Sequence, residues 1–224
     1  MDIEEGKRRA AERALEEVRD GMLLGLGTGS TARHFIAGVG RLVAGGMRLT
    51  AVATSRASAA QAAALGVALV ESADRPLDLT VDGADEIDPA LNLVKGLGGA
   101  LLREKVVAGA STRMVVIATA DKLVEHLGRG PLPVEVLPLL WRRTAAGVEA
   151  LGLRPQRRMD ASAAFVSDNG NFILDCRFDP PRDLAALAAA LEAIPGVMGH
   201  GLFLGMAALA LVAGADGVRE ISPA

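Results

Sequence analysis

The chain has 224 residues, half of them apolar and only 3% aromatic, with a formal net charge of −3. That length supports a sizeable core and one or two domains, and the charge gives no electrostatic case for nucleic acid or a membrane surface. The single cysteine, Cys176, excludes an intrachain disulfide framework and fits a reducing compartment. The opening residues are charged and helix-like rather than a signal peptide, and the apolar runs break before membrane-spanning length, so a cytoplasmic protein is expected.

Residues 3–20 read as a helix with an apolar stripe of Ala11, Ala14, Leu15 and Val18, and Gly21 suits its C′ position. Lys7 falls on that stripe, either snorkelling from the edge of a buried face or aimed at a ligand. It is one of four lysines against twenty arginines, a bias that draws attention to each compact ammonium. Residues 21–27 read as a short buried strand, after which TGSTARHFI opens a helix. Gly27 and Gly29 allow a tight turn, and Thr28, Ser30 and Thr31 add hydroxyls near free N–H groups, a combination suited to an anion. No Gly-Lys-Ser/Thr follows, so this is not a P-loop. Gly27 to Ala32 also matches G-x-G-x-x-A, which raises a nicotinamide cofactor. However, the second strand, 47–53, ends in Thr54-Ser55-Arg56 and not in the expected acid.

A helix at 55–66, a strand at 67–71 and a strand at 77–81 continue the alternation, which predicts a parallel, doubly wound sheet. Ligands in such sheets lie at the carboxyl ends of the strands, so TGST, TSR and DGAD are expected to face one crevice. Asp82-Gly83-Ala84-Asp85 is an acidic corner fit for proton traffic with hydroxyls or for a cation, although it lacks calcium-loop spacing. Glu86 and Asp88 read as solvated turn residues. Lys95-Gly96-Leu97-Gly98-Gly99 offers further N–H donors before a helix, ALLREKVVAGA. Glu104 lies about one turn inside that helix, flanked by Arg103 and Lys105, the setting of a surface ion pair on spacing alone. Strand 113–119 ends beside Asp121-Lys122, which puts Lys122 at the ligand edge.

A composition shift at Gly128 to Pro133 marks a boundary. Beyond it come a strand at 132–137, a helix at 138–151, a hairpin signal at Asn169-Gly170 between FVSD and NFILDC, a helix at 182–193 and a strand into HGLFLG. The order β-α-β-β-α-β suits a small ferredoxin-like α+β insert over 128–202. ALALVAGADGVREI then returns to the first domain, expected to be 1–127 plus 203–224. Trp141 and Cys176 read as packing residues.

The motifs GLGTGSTA, TSRAS, TVDGADEID, KGLGGALLREK, ADK, PLPVEVLP, SDNGNFILDC, PGV and GLF run nearly end to end. In them the chain resembles the type A ribose-5-phosphate isomerases. The resemblance implies a Rossmann-like α/β domain carrying a smaller α+β domain. It also implies interconversion of ribose 5-phosphate and ribulose 5-phosphate in the pentose phosphate pathway, no metal or organic cofactor, and a homodimer or tetramer. By motif it assigns substrate binding to Thr28, Gly29, Ser30, Thr31, Asp82, Gly83, Ala84, Asp85, Lys95, Gly96, Leu97, Gly98 and Lys122, with Lys7 near the phosphate. Glu104 matches the catalytic base, and Asp82 and Asp85 assist ring opening and hydroxyl protons. Family members commonly read KGGGAALTREK, so Leu97 and Leu102 are departures, and Leu97 is expected to narrow the loop or change its backbone freedom. The other readings are a non-catalytic sugar-phosphate sensor, an NADP-dependent oxidoreductase resting on Arg56, and a related sugar-phosphate deaminase or lactonase.

Overall fold

Short apolar runs punctuated by glycine become the strands of the central sheet in a computed structural model that describes residues 2–179 and 183–223. The chain runs α1 (Ile3–Leu15), β1 (Leu23–Leu26), α2 (Ala32–Ala44), β2 (Thr50–Ala53), α3 (Arg56–Ala64), β3 (Ala68–Leu69) and β4 (Leu79–Asp82). It continues through β5 (Glu86–Ile87), β6 (Leu93–Val94), α4 (Leu101–Gly109) and β7 (Met114–Thr119). Next come β8 (Leu132–Val136), α5 (Trp141–Ala150), β9 (Arg154–Arg157), the small pair β10 (Met159–Asp160) and β11 (Ala163–Ala164), β12 (Phe172–Arg177), α6 (Leu184–Glu192) and β13 (Val197–His200). The chain closes with β14 (Leu202–Phe203), β15 (Ala207–Gly214) and β16 (Gly217–Ile221).

The main sheet has the order β16-β15-β7-β4-β1-β2-β3. All its pairings are parallel except the β15–β16 hairpin. The order reverses direction between β1 and β4, which opens a crevice at their carboxyl ends. Strand β7 shows why the sequence reads as a continuous apolar run. Val115 and Ile117 pack into the core shared with α1 and α2, while Met114, Val116 and Ala118 pack on the opposite face with Leu93 and Phe203. A strand buried on both faces has no polar side to alternate with.

Helix α1 stops at Leu15, short of the expected 3–20. Glu16 and Glu17 stand at its C-terminus, where the helix dipole disfavours anions, and Glu16, Glu17 and Val18 close the end with short i→i−3 bonds. Val18 still reaches the core. A second sheet has the order β13-β8-β12-β9 and is antiparallel throughout. The expected hairpin at Asn169-Gly170 forms as a tight turn, with Gly170 N–H donating to Ser167 O and Ser167 N–H to Asn171 O, but FVSD before it makes no strand. Residues 165–168 give only one bridge, Val166 to Phe172, and the second neighbour of β12 is β9. Residue 182, the start of the expected helix 182–193, lies outside the described residues, and α6 runs Leu184–Glu192 with the Asp183 side chain accepting from Ala186 N–H. A third sheet, β14-β6-β5, is antiparallel, and its central strand leads directly into Lys95.

Candidate active site

The loop after β1 presents donors. Gly29 holds φ +116°, and the N–H groups of Gly29, Ser30 and Thr31 make no hydrogen bond among the described residues. They sit at the N-terminus of α2, where partial positive charge favours an anion. A hydroxyl cluster props this loop from behind. Thr28 Oγ1 lies 2.7 Å from Thr54 Oγ1 and 3.2 Å from Ser58 Oγ. Thr54 donates to the Leu26 carbonyl and Ser58 to the Gly27 carbonyl, so the proton between them and Thr28 comes from Thr28. The TSR loop therefore supports the site from beneath. Arg56, expected at the crevice, lines a different cavity beside Val52 and Val107.

The loop after β4 carries the acidic corner. Asp82 is buried at 1% exposure, and its Oδ1 accepts from the N–H groups of Thr28 (3.1 Å) and Gly83 (2.7 Å). This explains the first glycine of G-x-G-x-x-A. A Cβ on Gly27 would lie 2.1 Å from Asp82 Oδ1, so the missing side chain makes room for a carboxylate of this same chain.

Lys95 stands between the acids. Its Nζ is 3.0 Å from Asp82 Oδ2 and 3.3 Å from Glu104 Oε2, donates to the Gly83 carbonyl at 2.5 Å, and lies 5.5 Å from the centroid of the Phe203 ring. Its backbone is pinned as well, since Lys95 N–H donates to Gly201 O. Glu104 projects from the first turn of α4 and is 4% exposed, where spacing alone points to a surface ion pair. Asp82 Oδ2 and Glu104 Oε2 have no hydrogen-bond donor of good geometry and are met by the ammonium alone. Burial first, and the Asp82 charge second, push the Glu104 carboxyl up to about 8, against the pull of Lys95. Burial likewise raises Asp82. Burial works against the Lys95 ammonium, but the charges of Asp82 and Glu104 outweigh it and raise its pKa. The place a cation would take between the acids is filled by this amine. Among the described residues no group of three or more His, Cys, Asp or Glu side chains is placed to hold a metal.

These loops enclose a cavity of ≈ 300 Å³ lined by Lys7, Thr28, Gly29, Ser30, Thr31, Gly83, Ala84, Asp85, Lys95, Gly96, Gly98, Glu104 and Lys122, with Ile3, Ala118, Thr119 and Asp121 completing the wall. Asp82 lies under its floor. Lys7 reaches the cavity from α1 and pairs with Glu4 at 2.5 Å. Lys122 is held loosely, 3.8 Å from Asp121. Two of the residues expected to touch substrate, Asp82 and Leu97, are not part of the lining. Asp82 is buried behind it at 1% exposure, and Leu97 turns outward. Leu97 is 48% exposed and lies outside the lining, while its N–H donates to Asp85 Oδ2 at 2.9 Å. The expectation that Leu97 narrows the loop is therefore corrected. Positive φ in this loop falls at Gly96 and Gly99, and position 97 accepts a side chain without strain.

Glu86 also departs from its expected role. It is buried and accepts the N–H groups of Gly128, Arg129 and Gly130, tying the start of the second region to the acidic corner. Asp88 does form its turn, accepting from Ala90 and Asn92 N–H. Sequence reasoning missed Ser58 and Phe203, and it placed Thr54 in a loop facing the crevice, not beneath Thr28. Ser58 had a signal in TSRAS directly after a strand; Phe203 had none beyond GLF.

The family model for ribose 5-phosphate isomerase A (phosphoriboisomerase A) matches residues 50–217. The ribose-5-phosphate isomerase A of Rhodopseudomonas palustris strain TIE-1 is 52% identical over 236 residues, covering all of both chains. That of Roseiflexus sp. strain RS-1 is 54% identical, covering 99% of this chain and 97% of its own. The solved ribose 5-phosphate isomerase of Plasmodium falciparum superposes with a TM-score of 0.95 at 33% identity, covering 98% of this chain and 99% of that one.

Proposed function

This chain belongs to the ribose 5-phosphate isomerase A family, and we propose that it interconverts D-ribose 5-phosphate and D-ribulose 5-phosphate through an enediolate. The observation that carries the reading is one buried ammonium, Lys95, shared by Asp82 and Glu104 at the wall of a sugar-sized cavity.

The phosphate is gripped by the free N–H groups of Gly29, Ser30 and Thr31, with Lys7 and Lys122 adding charge. This remote binding energy positions the reacting carbons. Asp82 and Asp85 manage the hydroxyl protons of ring opening. Glu104 then takes the C2 proton, and its electron pair forms the C1–C2 double bond of the enediolate. Glu104 returns the proton to C1 while the hydroxyl proton moves from O2 to O1, leaving the ketose. A carboxylate with a raised pKa is a stronger base near neutrality. Lys95 and the N–H groups of Gly96 and Gly98, which have no hydrogen-bond partner among the described residues, stabilise the developing oxyanion.

The same proposal divides the chain into a Rossmann-like domain, 1–127 plus 203–224, and a ferredoxin-like insert, 128–202. The strand reversal at β1/β4 and the β13-β8-β12-β9 order support that division. It includes a cytoplasmic homodimer or tetramer working in the pentose phosphate pathway. The family resemblance supports this, and no described helix is long and apolar enough to cross a membrane.

EDTA-treated protein incubated with ribose 5-phosphate tests the reading. Formation of ribulose 5-phosphate is expected, without added metal or nicotinamide. Binding without turnover would favour a sensor, ammonia release or lactone hydrolysis the neighbouring enzyme classes, and tight nicotinamide binding an oxidoreductase.

A further inference from the structure

The glycine loop at 96–99 is held from outside the cavity by the second region. Arg158, between β9 and β10, donates from Nη1 to the carbonyls of Gly96 and Leu97, both at 3.0 Å. Its other nitrogens are fixed on Asp175, Nε to Oδ2 at 2.9 Å and Nη2 to Oδ1 at 2.5 Å. The guanidinium lies 5.5 Å from the centroid of the Phe165 ring, and that ring seats against Gly99, where a Cβ would fall 2.5 Å from Phe165 Cζ. The Arg158 side chain is 12% exposed.

Two peptides of the loop are held unequally. The Gly96–Leu97 peptide is fixed at both ends, its carbonyl on Arg158 and its N–H on Asp85. The Leu97–Gly98 peptide is fixed only at its carbonyl, by Arg158. In a trans peptide the N–H points opposite to the C=O, so the Gly98 N–H is turned away from Arg158. Gly98 lines the cavity, and its freedom in φ would let this peptide rotate. Rotation would withdraw an N–H and bring in a carbonyl oxygen, which repels an oxyanion.

We propose that Arg158 is a positioning residue, which holds the Leu97–Gly98 peptide with its N–H facing the substrate's developing oxyanion. The clamp rests on the isomerase reading for its effect on rate, though not for its geometry. The fork geometry of arginine is what allows one side chain to hold Asp175 and two carbonyls together.

Arg158→Ala, Arg158→Lys and the control Arg154→Ala test it. Arg154 pairs with Asp179 on the surface of the same region and does not touch the loop. Loss of one oxyanion donor costs roughly 10²–10³ in kcat, so a loop whose productive orientation falls to about a tenth to a hundredth of the population should lose about 10- to 100-fold. Arg158→Ala is expected to lose kcat on that scale with KM changed less than about threefold, because a transition-state contact is lost rather than uniform binding. Arg158→Lys should fall between, and Arg154→Ala should match the wild type. Amide exchange should quicken at 96–99 in Arg158→Ala and nowhere else near the cavity. If Arg158→Ala fails to fold, Arg158→Lys decides by the same readouts. A folded Arg158 variant with wild-type kcat and unchanged exchange at 96–99 overturns the proposal. So does a kcat loss shared by Arg154→Ala. Should the wild type not isomerise ribose 5-phosphate, the isomerase reading falls, and exchange at 96–99 still decides whether the clamp exists.

Discussion

Glu104 and Glu135 are both buried glutamates, one beside the crevice and one in the second region, and they are held by opposite means. Glu135 Oε1 accepts from Ser167 Oγ, Asn169 Nδ2 and Asn171 Nδ2 at 2.7–3.0 Å. All three donors are neutral and belong to one turn, and all three go to Oε1; Glu135 Oε2, like Glu104 Oε2, has no hydrogen-bond partner among the described residues. That turn reaches onward, with Asn169 Oδ1 accepting from Arg103 and Asp168 accepting from Arg56 N–H. Among the described residues the Glu104 carboxylate has no neutral donor. It meets Lys95, which Asp82 also claims. A carboxylate anchored through one oxygen by three neutral donors organises backbone, whereas two carboxylates competing for one ammonium leave a proton that can move. Burial is common to both sites, and the donors separate structure from chemistry.

The contrast can be broken most forcefully at Lys95. Lys95→Met leaves Asp82 and Glu104 buried without their cation, and stripping one partner from a buried pair costs about 3–5 kcal/mol. Denaturant titration should show that loss at pH 8 and a smaller one at pH 5, where the raised carboxyls take up protons. Next in size, Glu135→Leu strands three donors and should cost about 1–3 kcal/mol, while the folded fraction keeps its kcat on ribose 5-phosphate. A large kcat loss there would erase the distinction drawn between the two glutamates.

Smaller effects sharpen it. The folded-state pKa of Glu104 is raised, so the folded protein holds a proton that the unfolded chain has already lost. Stability from this group is full below the ordinary carboxylate range and declines as pH climbs towards about 8. Glu104→Gln removes the penalty. Its Tm should match the wild type at pH 5 and exceed it at pH 9 by roughly 2–4 °C for each kcal/mol relieved. A Tm difference that does not change with pH would mean Glu104 is not raised. Least of all, Ser58→Ala removes one prop beneath Thr28 and should raise KM by about twofold, on the order of 0.5 kcal/mol, visible in initial rates.

Much of the fold could be read from residues because glycine and apolar runs mark strand ends plainly. The loops TGST and DGAD end β1 and β4, and strand order brings them together. Strand β9 was not legible, since Arg154-Pro155-Gln156-Arg157 lacks apolar alternation and depends on β12 for its pairing. Glu104 looked like a surface residue because Arg103 and Lys105 flank it. Only the tertiary fold turns Arg103 to the Asn169 turn and Lys105 to His200, leaving Glu104 to face Lys95. Glu86 misled for the same reason, as its partners lie past β7. Arg158 carries no local motif, and its link to Gly96 and Leu97 exists only once the second region folds against the loop.

The central claim is that Glu104, raised by burial and by Asp82, moves the proton between C2 and C1. The direct measurement is kcat for ribose 5-phosphate at pH 8 in the wild type and in Glu104→Gln, with substrate binding measured alongside. General-base catalysis contributes roughly 10²–10⁴-fold, so a loss of about 10³ in kcat with binding retained is the predicted result. A Glu104→Gln protein that turns over within about tenfold of the wild type would contradict it and assign the proton to another group.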